Sequence, residues 1–192
     1  MLLGTPAWAQ SVSFPSVTVG GSQAGPDVKG WIYKPPGDGP FPAIILAHSC
    51  AGVNAHTDRW GKLLDSHGGS TVIRSAQKNF GLAQRGLAAG VAYYPGCSPQ
   101  FDGGIDIPVL LLAGDKDDWT PADRCRTLVS GLQQGGIVDA VYYPNAYHSF
   151  DSKVADRTVP GAAGKQHHLA YDTVAAPDAE ARTKAFFVKY LR

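Results

Sequence analysis

The sequence predicts an α/β domain on a mostly parallel sheet flanked by helices, and three observations carry that expectation. Segments dense in Val, Ile, Leu, Ala and Tyr recur at 43–47, 91–94, 109–113 and 138–143, the pattern of strands buried on both faces. Helical spacing separates and follows them, over 121–134 and again over 177–191, where Ala181, Ala185, Val188 and Leu191 return every three or four residues. Glycine (23 residues) and proline (14) occur without a period, which suits a loop-rich α/β fold better than a helical bundle.

Taken in order, residues 11–19 alternate apolar and polar up to Gly20-Gly21 and read as an edge strand, the only kind in which Pro15 is tolerated. Residues 31–34, stopped by Pro35-Pro36, read as its hairpin neighbour. Residues 43–47 are the first buried strand. Residues 91–94, closed by Pro95-Gly96, and the runs at 109–113 and 138–143 supply the others. The helix over 121–134 is expected to be capped by Thr120. The apolar positions of 177–191 read as core packing rather than a membrane face. No repeat, low-complexity tract or linker divides the chain, so residues 10–192 are expected to form one domain. Ahead of them, Ala7-Trp8-Ala9 has the small-x-small pattern that a signal peptidase cuts, and residues 1–9 read as the tail of an export signal. The mature chain then starts near Gln10 and works in the periplasm or outside the cell.

Composition narrows the function. Hydrophobic residues make up 44% and charged residues 17%, so the chain is not of the disordered class. With 17 Lys+Arg against 16 Asp+Glu and no basic run, it carries no electrostatic footprint for nucleic acid or an anionic membrane surface. Its longest apolar stretches are strand-sized, well short of a bilayer span. Cys50, Cys97 and Cys125 lie far apart without a C-x-x-C pair, which gives no support to a zinc site and leaves open one disulfide plus a free thiol.

Parallel sheets place functional loops beyond the carboxyl ends of their strands, so chemistry is sought there. The strand at 43–47 leads into His48-Ser49-Cys50-Ala51-Gly52, a tight loop whose N–H groups are suited to an oxyanion. The strand at 109–113 leads into an acidic turn with Asp115, Asp117 and Asp118, and the strand at 138–143 into Tyr147-His148-Ser149-Phe150-Asp151. A small-residue turn, Ser66-His67-Gly68-Gly69-Ser70, precedes both. In chain order these offer Ser, Asp and His, the order of the α/β-hydrolase triad. Asp115 and Asp118 compete with Asp117 as turn and cap residues. The His167-His168 pair reads as surface rather than a metal site.

Over most of its length the chain resembles the dienelactone hydrolase family of α/β hydrolases, through residues 41–48, 92–97, 107–121 and 147–151. The acidic turn and the Tyr-His-Ser-Phe-Asp segment are the most specific of these. The resemblance implies an α/β-hydrolase fold and hydrolysis of small-molecule esters or lactones, without a metal or organic cofactor. It implies Asp117, four residues before Pro121, as the acid, and His148, ahead of the Phe-Asp pair, as the base. Ser66 is then the nucleophile, with Cys50, Ala51 and His67 on the oxyanion and substrate-binding side.

One stretch departs from the family. Only 43 residues, 48 to 90, lie between the first buried strand and the next, where the family places two strands and three helices. At mean lengths of about 5 and 11 residues those elements alone fill the interval and leave nothing for connections. Residues 60–68 resemble the end of the fold's first helix, whereas 66–72 resemble the start of the helix after the nucleophile, and Ser66-His67-Gly68 serves in both. The chain therefore reads as an internally shortened hydrolase that has lost central elements. Its elbow window, Leu64-Asp65-Ser66-His67-Gly68, lacks the first glycine of G-x-S-x-G. Two alternatives accompany the serine hydrolase: a non-catalytic or nearly inactive remnant, and a hydrolase using Cys50.

Overall fold

The computed structural model describes residues 8–17, 24–34, 69–98, 104–132, 137–153, 156–161 and 164–190. The strand expected at 43–47, the residues shared by the two helix-like segments, and Cys50, Ala51, Ser66 and His67 lie outside them. By compactness the chain divides into two units, Met1–Phe41 and Pro42–Arg192.

The first unit is a two-stranded antiparallel ribbon, β1 (Trp8–Val17) with β2 (Ala24–Lys34), registered from Trp8 opposite Lys34 to Pro15 opposite Asp27. The register slips between Pro15 and Val17. Both strands of such a ribbon are edges, so Pro15 is accommodated beside the irregularity although it cannot donate to a ladder.

The second unit centres on three parallel strands in the order β3 (Gly90–Tyr93), β4 (Val109–Gly114), β5 (Val138–Tyr143). Every residue of β3 and β4 is buried, as expected for strands with both faces covered. On one face Val91, Tyr93, Leu110 and Leu112 meet Ala175, Ala179 and Phe187 of the C-terminal helix α3 (Ala175–Tyr190). The Tyr93 hydroxyl meets Thr183 Oγ1 there at 2.9 Å. On the other face Ala92, Val109, Leu111 and Ala113 meet Ile73 of α1 (Gly69–Ser75), Ala76 just after it, and Ala122 and Cys125 of α2 (Ala122–Gly131). This is a shortened α/β fold with helices on both faces of a parallel sheet.

Some boundaries differ from expectation. Helix α3 begins at Ala175 rather than 177, because Asp172 Oδ1 accepts the N–H groups of Val174 and Ala175 at 2.8 Å and satisfies donors of the first turn. Helix α2 is not capped by Thr120: no side chain bonds its start, and that hydroxyl turns elsewhere. A short antiparallel hairpin, β6 (Arg157–Pro160) with β7 (Gln166–Leu169), comes between β5 and α3 along the chain and was not expected from the sequence. Among the described residues no helix is long and apolar enough to cross a membrane.

Candidate active site

Asp117 lies three residues beyond the end of β4, with its side chain wholly buried. A desolvated carboxylate needs donors, and the turn supplies them: Oδ1 accepts the N–H groups of Trp119 at 2.9 Å and Thr120 at 2.8 Å. Its other oxygen, Oδ2, lies 2.8 Å from His148 Nδ1 and 2.8 Å from the Thr120 hydroxyl.

His148 lies on the loop after β5, which crosses to β4 because Gly114 has no side chain. A Cβ at Gly114 would lie 2.2 Å from the carbonyl oxygen of Ala146. That approach lets the Lys116 N–H donate to the Ala146 oxygen at 3.1 Å and ties the Asp117 and His148 loops together. Beyond the histidine, Ser149 takes a left-handed φ of 62°, and Phe150 is fully buried among Tyr93, Tyr94 and Tyr143. The imidazole, 15% exposed, packs against the rings of Tyr94 at 4.5 Å and Trp119 at 5.2 Å. With Nδ1–H aimed at the carboxylate, the hydrogen-bond pattern assigns the tautomer whose free lone pair is on Nε2.

The structure thus brings together two sequence-predicted residues, Asp117 and His148. The competing carboxylates are engaged elsewhere: Asp115 pairs with Arg126 at 2.6 Å, and Asp118 Oδ1 accepts the His168 N–H at 3.2 Å. His167 is a correction to the expectation of a surface pair. It is buried, stacked on the Trp119 ring at 4.8 Å with only 12° between planes. The non-local approach of the hairpin to the acidic turn causes this, and a segment without apolar alternation did not announce it. Tyr94 and Thr120 also belong to the site. They read as strand and cap because their contacts with each other and with His148, across more than 25 positions of sequence, follow from no local pattern.

The first turn of α1 adjoins this centre. A Cβ on Gly69 would lie 2.2 Å from the Tyr93 carbonyl oxygen, so only glycine lets the helix start against the end of β3. Ser70 Oγ accepts the Gly96 N–H at 2.8 Å, and a Cβ on Gly96 would in turn lie 3.4 Å from Thr120 Cγ2. Beside it, Cys97 and Cys125 form a disulfide between the loop after β3 and the first turn of α2. Among the described residues no grouping of three His, Cys, Asp or Glu side chains could hold a metal ion.

The fold is similar over 98% of this chain and 100% of the other to the crystal structure of P91, a dienelactone hydrolase-like promiscuous phosphotriesterase from metagenomic libraries, with a TM-score of 0.68 at 16% identity. A provisionally named dienelactone hydrolase from Klebsiella pneumoniae subsp. pneumoniae MGH 78578 is 25% identical over 54% of this chain, with a TM-score of 0.42, and the match spans 42% of the Klebsiella chain. No curated protein matches at a significant level. The model of the dienelactone hydrolase family matches residues 67–191, well over half of the chain and including Asp117 and His148, and the chain belongs to that family.

Proposed function

We propose that the protein hydrolyses carboxylic esters or lactones through a Ser-His-Asp acyl-enzyme mechanism. The observation that carries this reading is the 2.8 Å contact of His148 Nδ1 with a fully buried Asp117 carboxylate, at the carboxyl end of a parallel sheet. In the mechanism, Ser66 Oγ attacks the substrate carbonyl while His148 Nε2 takes its proton, and the same proton passes to the departing alkoxide. Water, deprotonated by His148 in turn, attacks the acyl carbon, the bond to Ser66 Oγ breaks to release the acid, and His148 returns the proton to Ser66. Asp117 holds the imidazole tautomer and stabilises the imidazolium, and the family resemblance assigns Cys50, Ala51 and His67 to oxyanion and substrate binding.

Chain reach supports Ser66. It precedes Gly69 by three residues, which span at most about 11 Å, and Gly69 starts a helix whose Ser70 accepts the N–H of Gly96, the neighbour of Thr120. The Cys97–Cys125 disulfide is of the kind kept in oxidising compartments and supports export to the periplasm or beyond.

A second reading has its own observation. The family match starts at residue 67, one past Ser66, which favours an acid–base pair retained on a scaffold without a working nucleophile. Incubation with a fluorophosphonate, with adduct mapping by mass spectrometry and turnover of a short aryl ester, separates the two. An adduct on Ser66, with turnover lost in Ser66→Ala and His148→Ala, establishes the serine hydrolase. A folded chain with neither adduct nor turnover establishes the remnant, and an adduct-free chain whose turnover falls with Cys50→Ala points to the cysteine.

A further inference from the structure

Thr120 has a crowded hydroxyl. Its Oγ1 lies 2.8 Å from Asp117 Oδ2, 2.9 Å from the Tyr94 carbonyl oxygen and 3.2 Å from His148 Nδ1. Two of these neighbours are pure acceptors, yet a hydroxyl carries one proton. Either acceptor left without it faces an oxygen lone pair at hydrogen-bond distance, so the proton has two competing places. The Tyr94 carbonyl is presented from a left-handed backbone, φ 34°, a conformation that a non-glycine residue adopts only where its surroundings enforce it.

The charge on His148 decides which place wins. While the imidazole is neutral, the carboxylate is the stronger acceptor, and the hydroxyl donates to Oδ2 beside the Nδ1–H. Once His148 has taken a proton at Nε2, its Nδ1–H bears positive charge and draws on Oδ2 more strongly. Rotation of the hydroxyl then sends its proton to the Tyr94 oxygen. That frees the Oδ2 charge for the imidazolium and turns an Oγ1 lone pair toward Nδ1–H. No covalent bond forms or breaks, and the rotation needs no movement of the backbone. We propose that Thr120 is a positioning residue whose hydroxyl proton alternates between Asp117 Oδ2 and the Tyr94 carbonyl as His148 gains and loses charge. This rests on the hydrolase reading for its catalytic benefit, although the hydroxyl's effect on His148 can be observed without turnover.

The test compares the whole chain with Thr120→Val, which keeps the shape, Thr120→Ser, which keeps the hydroxyl, and Thr120→Ala should valine disturb folding. The readouts are kcat and KM on a short aryl ester, and the His148 Nδ1–H proton resonance in labelled protein. The expected result is a kcat about tenfold lower in Thr120→Val with KM within about twofold, restored to within about threefold by serine. The Nδ1–H resonance should move in valine and return in serine. Equal kcat in wild type and Thr120→Val, or serine no better than valine, overturns the proposal. If the wild type turns over no ester, the hydrolase reading fails by itself, and the resonance decides: unchanged in Thr120→Val it overturns the proposal, and moved there but restored in Thr120→Ser it supports it.

Discussion

The Tyr94 ring lies 4.5 Å from the imidazole of His148, inclined at 54°, and so forms a wall against the candidate base. Its hydroxyl donates to the buried Asp151 Oδ1 at 3.2 Å, which fixes the ring from the far end of the same loop. The ring and the hydroxyl therefore have separable effects. Tyr94→Phe should lose about 1 kcal/mol of stability while ester turnover stays within a few-fold. Tyr94→Ala removes the wall and should cost about 3–5 kcal/mol and most of the turnover. Urea unfolding followed alongside kcat checks both, and a phenylalanine variant as damaged as alanine would show that the hydroxyl, not the ring, positions His148.

Replacing the acid tests orientation without emptying the site. Asparagine at 117 keeps an oxygen for the Trp119 and Thr120 N–H groups, which hold Oδ1 at 2.9 and 2.8 Å. Its amide then faces Nδ1 and favours the wrong tautomer. Asp117→Asn should leave the thermal midpoint within a few degrees and lower kcat by about three to four powers of ten. Retained turnover in that variant would remove Asp117 from the mechanism.

The meeting of Asp117 with His148 was legible in the sequence because both follow strands whose composition is unmistakable and both fall in the segments that carry the family resemblance. Residues of β4 and β5 are dense in Val, Leu and Tyr, and Asp117 and His148 sit at fixed distances from Pro121 and Phe150. Their surroundings were not legible. Thr120 has the sequence position of a helix cap, but the carboxylate of Asp117 and the Tyr94 carbonyl, 26 residues away in sequence, claim its hydroxyl. His167 lies on a four-residue strand too short to show a period, and its burial comes from neighbours such as the stacked Trp119 ring and the close Gly161 backbone. The Cys97–Cys125 pair, 28 residues apart, carried no motif.

Gly114 links the fold to the site. A methyl group there would press within 2.2 Å of the Ala146 carbonyl oxygen, which is backbone and has no rotamer by which to retreat. The His148 loop would have to lift from β4. Gly114→Ala should therefore cost about 1–3 kcal/mol and reduce turnover further than that loss of stability explains. The check is kcat measured at a temperature where the variant is fully folded; an unchanged value would mean that the loop absorbs the methyl group without moving the base.

The disulfide closes a 28-residue span that includes β4 and the acid turn. On the chain-entropy account such a loop contributes roughly 3–4 kcal/mol by restricting the unfolded state. A Cys97→Ser/Cys125→Ser double variant should unfold at correspondingly lower urea concentration, and addition of reductant should shift the wild type but not the variant. A reductant-insensitive wild type would show that the bond is absent in solution.

At the last residue of β5, the Tyr143 hydroxyl donates to Asp178 Oδ2 at 2.8 Å, and Arg182 Nε meets the same oxygen at 2.6 Å. The Arg182 hydrogen bond lowers the Asp178 pKa below its ordinary 3.8, while burial raises that of Tyr143. A carboxylate whose folded pKa is lowered stabilises the fold above its unfolded value and ceases to do so as pH falls through the folded one. The pair is largely solvent-exposed, so screening keeps the effect small, about 0.5–1 kcal/mol with the helix-terminus contribution included. Asp178→Asn should therefore be less stable than wild type by that amount at pH 7, and the gap should narrow as pH falls below the ordinary carboxylate range. Urea unfolding at both ends of that range measures it. A gap that is constant or that widens in acid would mean that the carboxylate contributes through shape rather than charge.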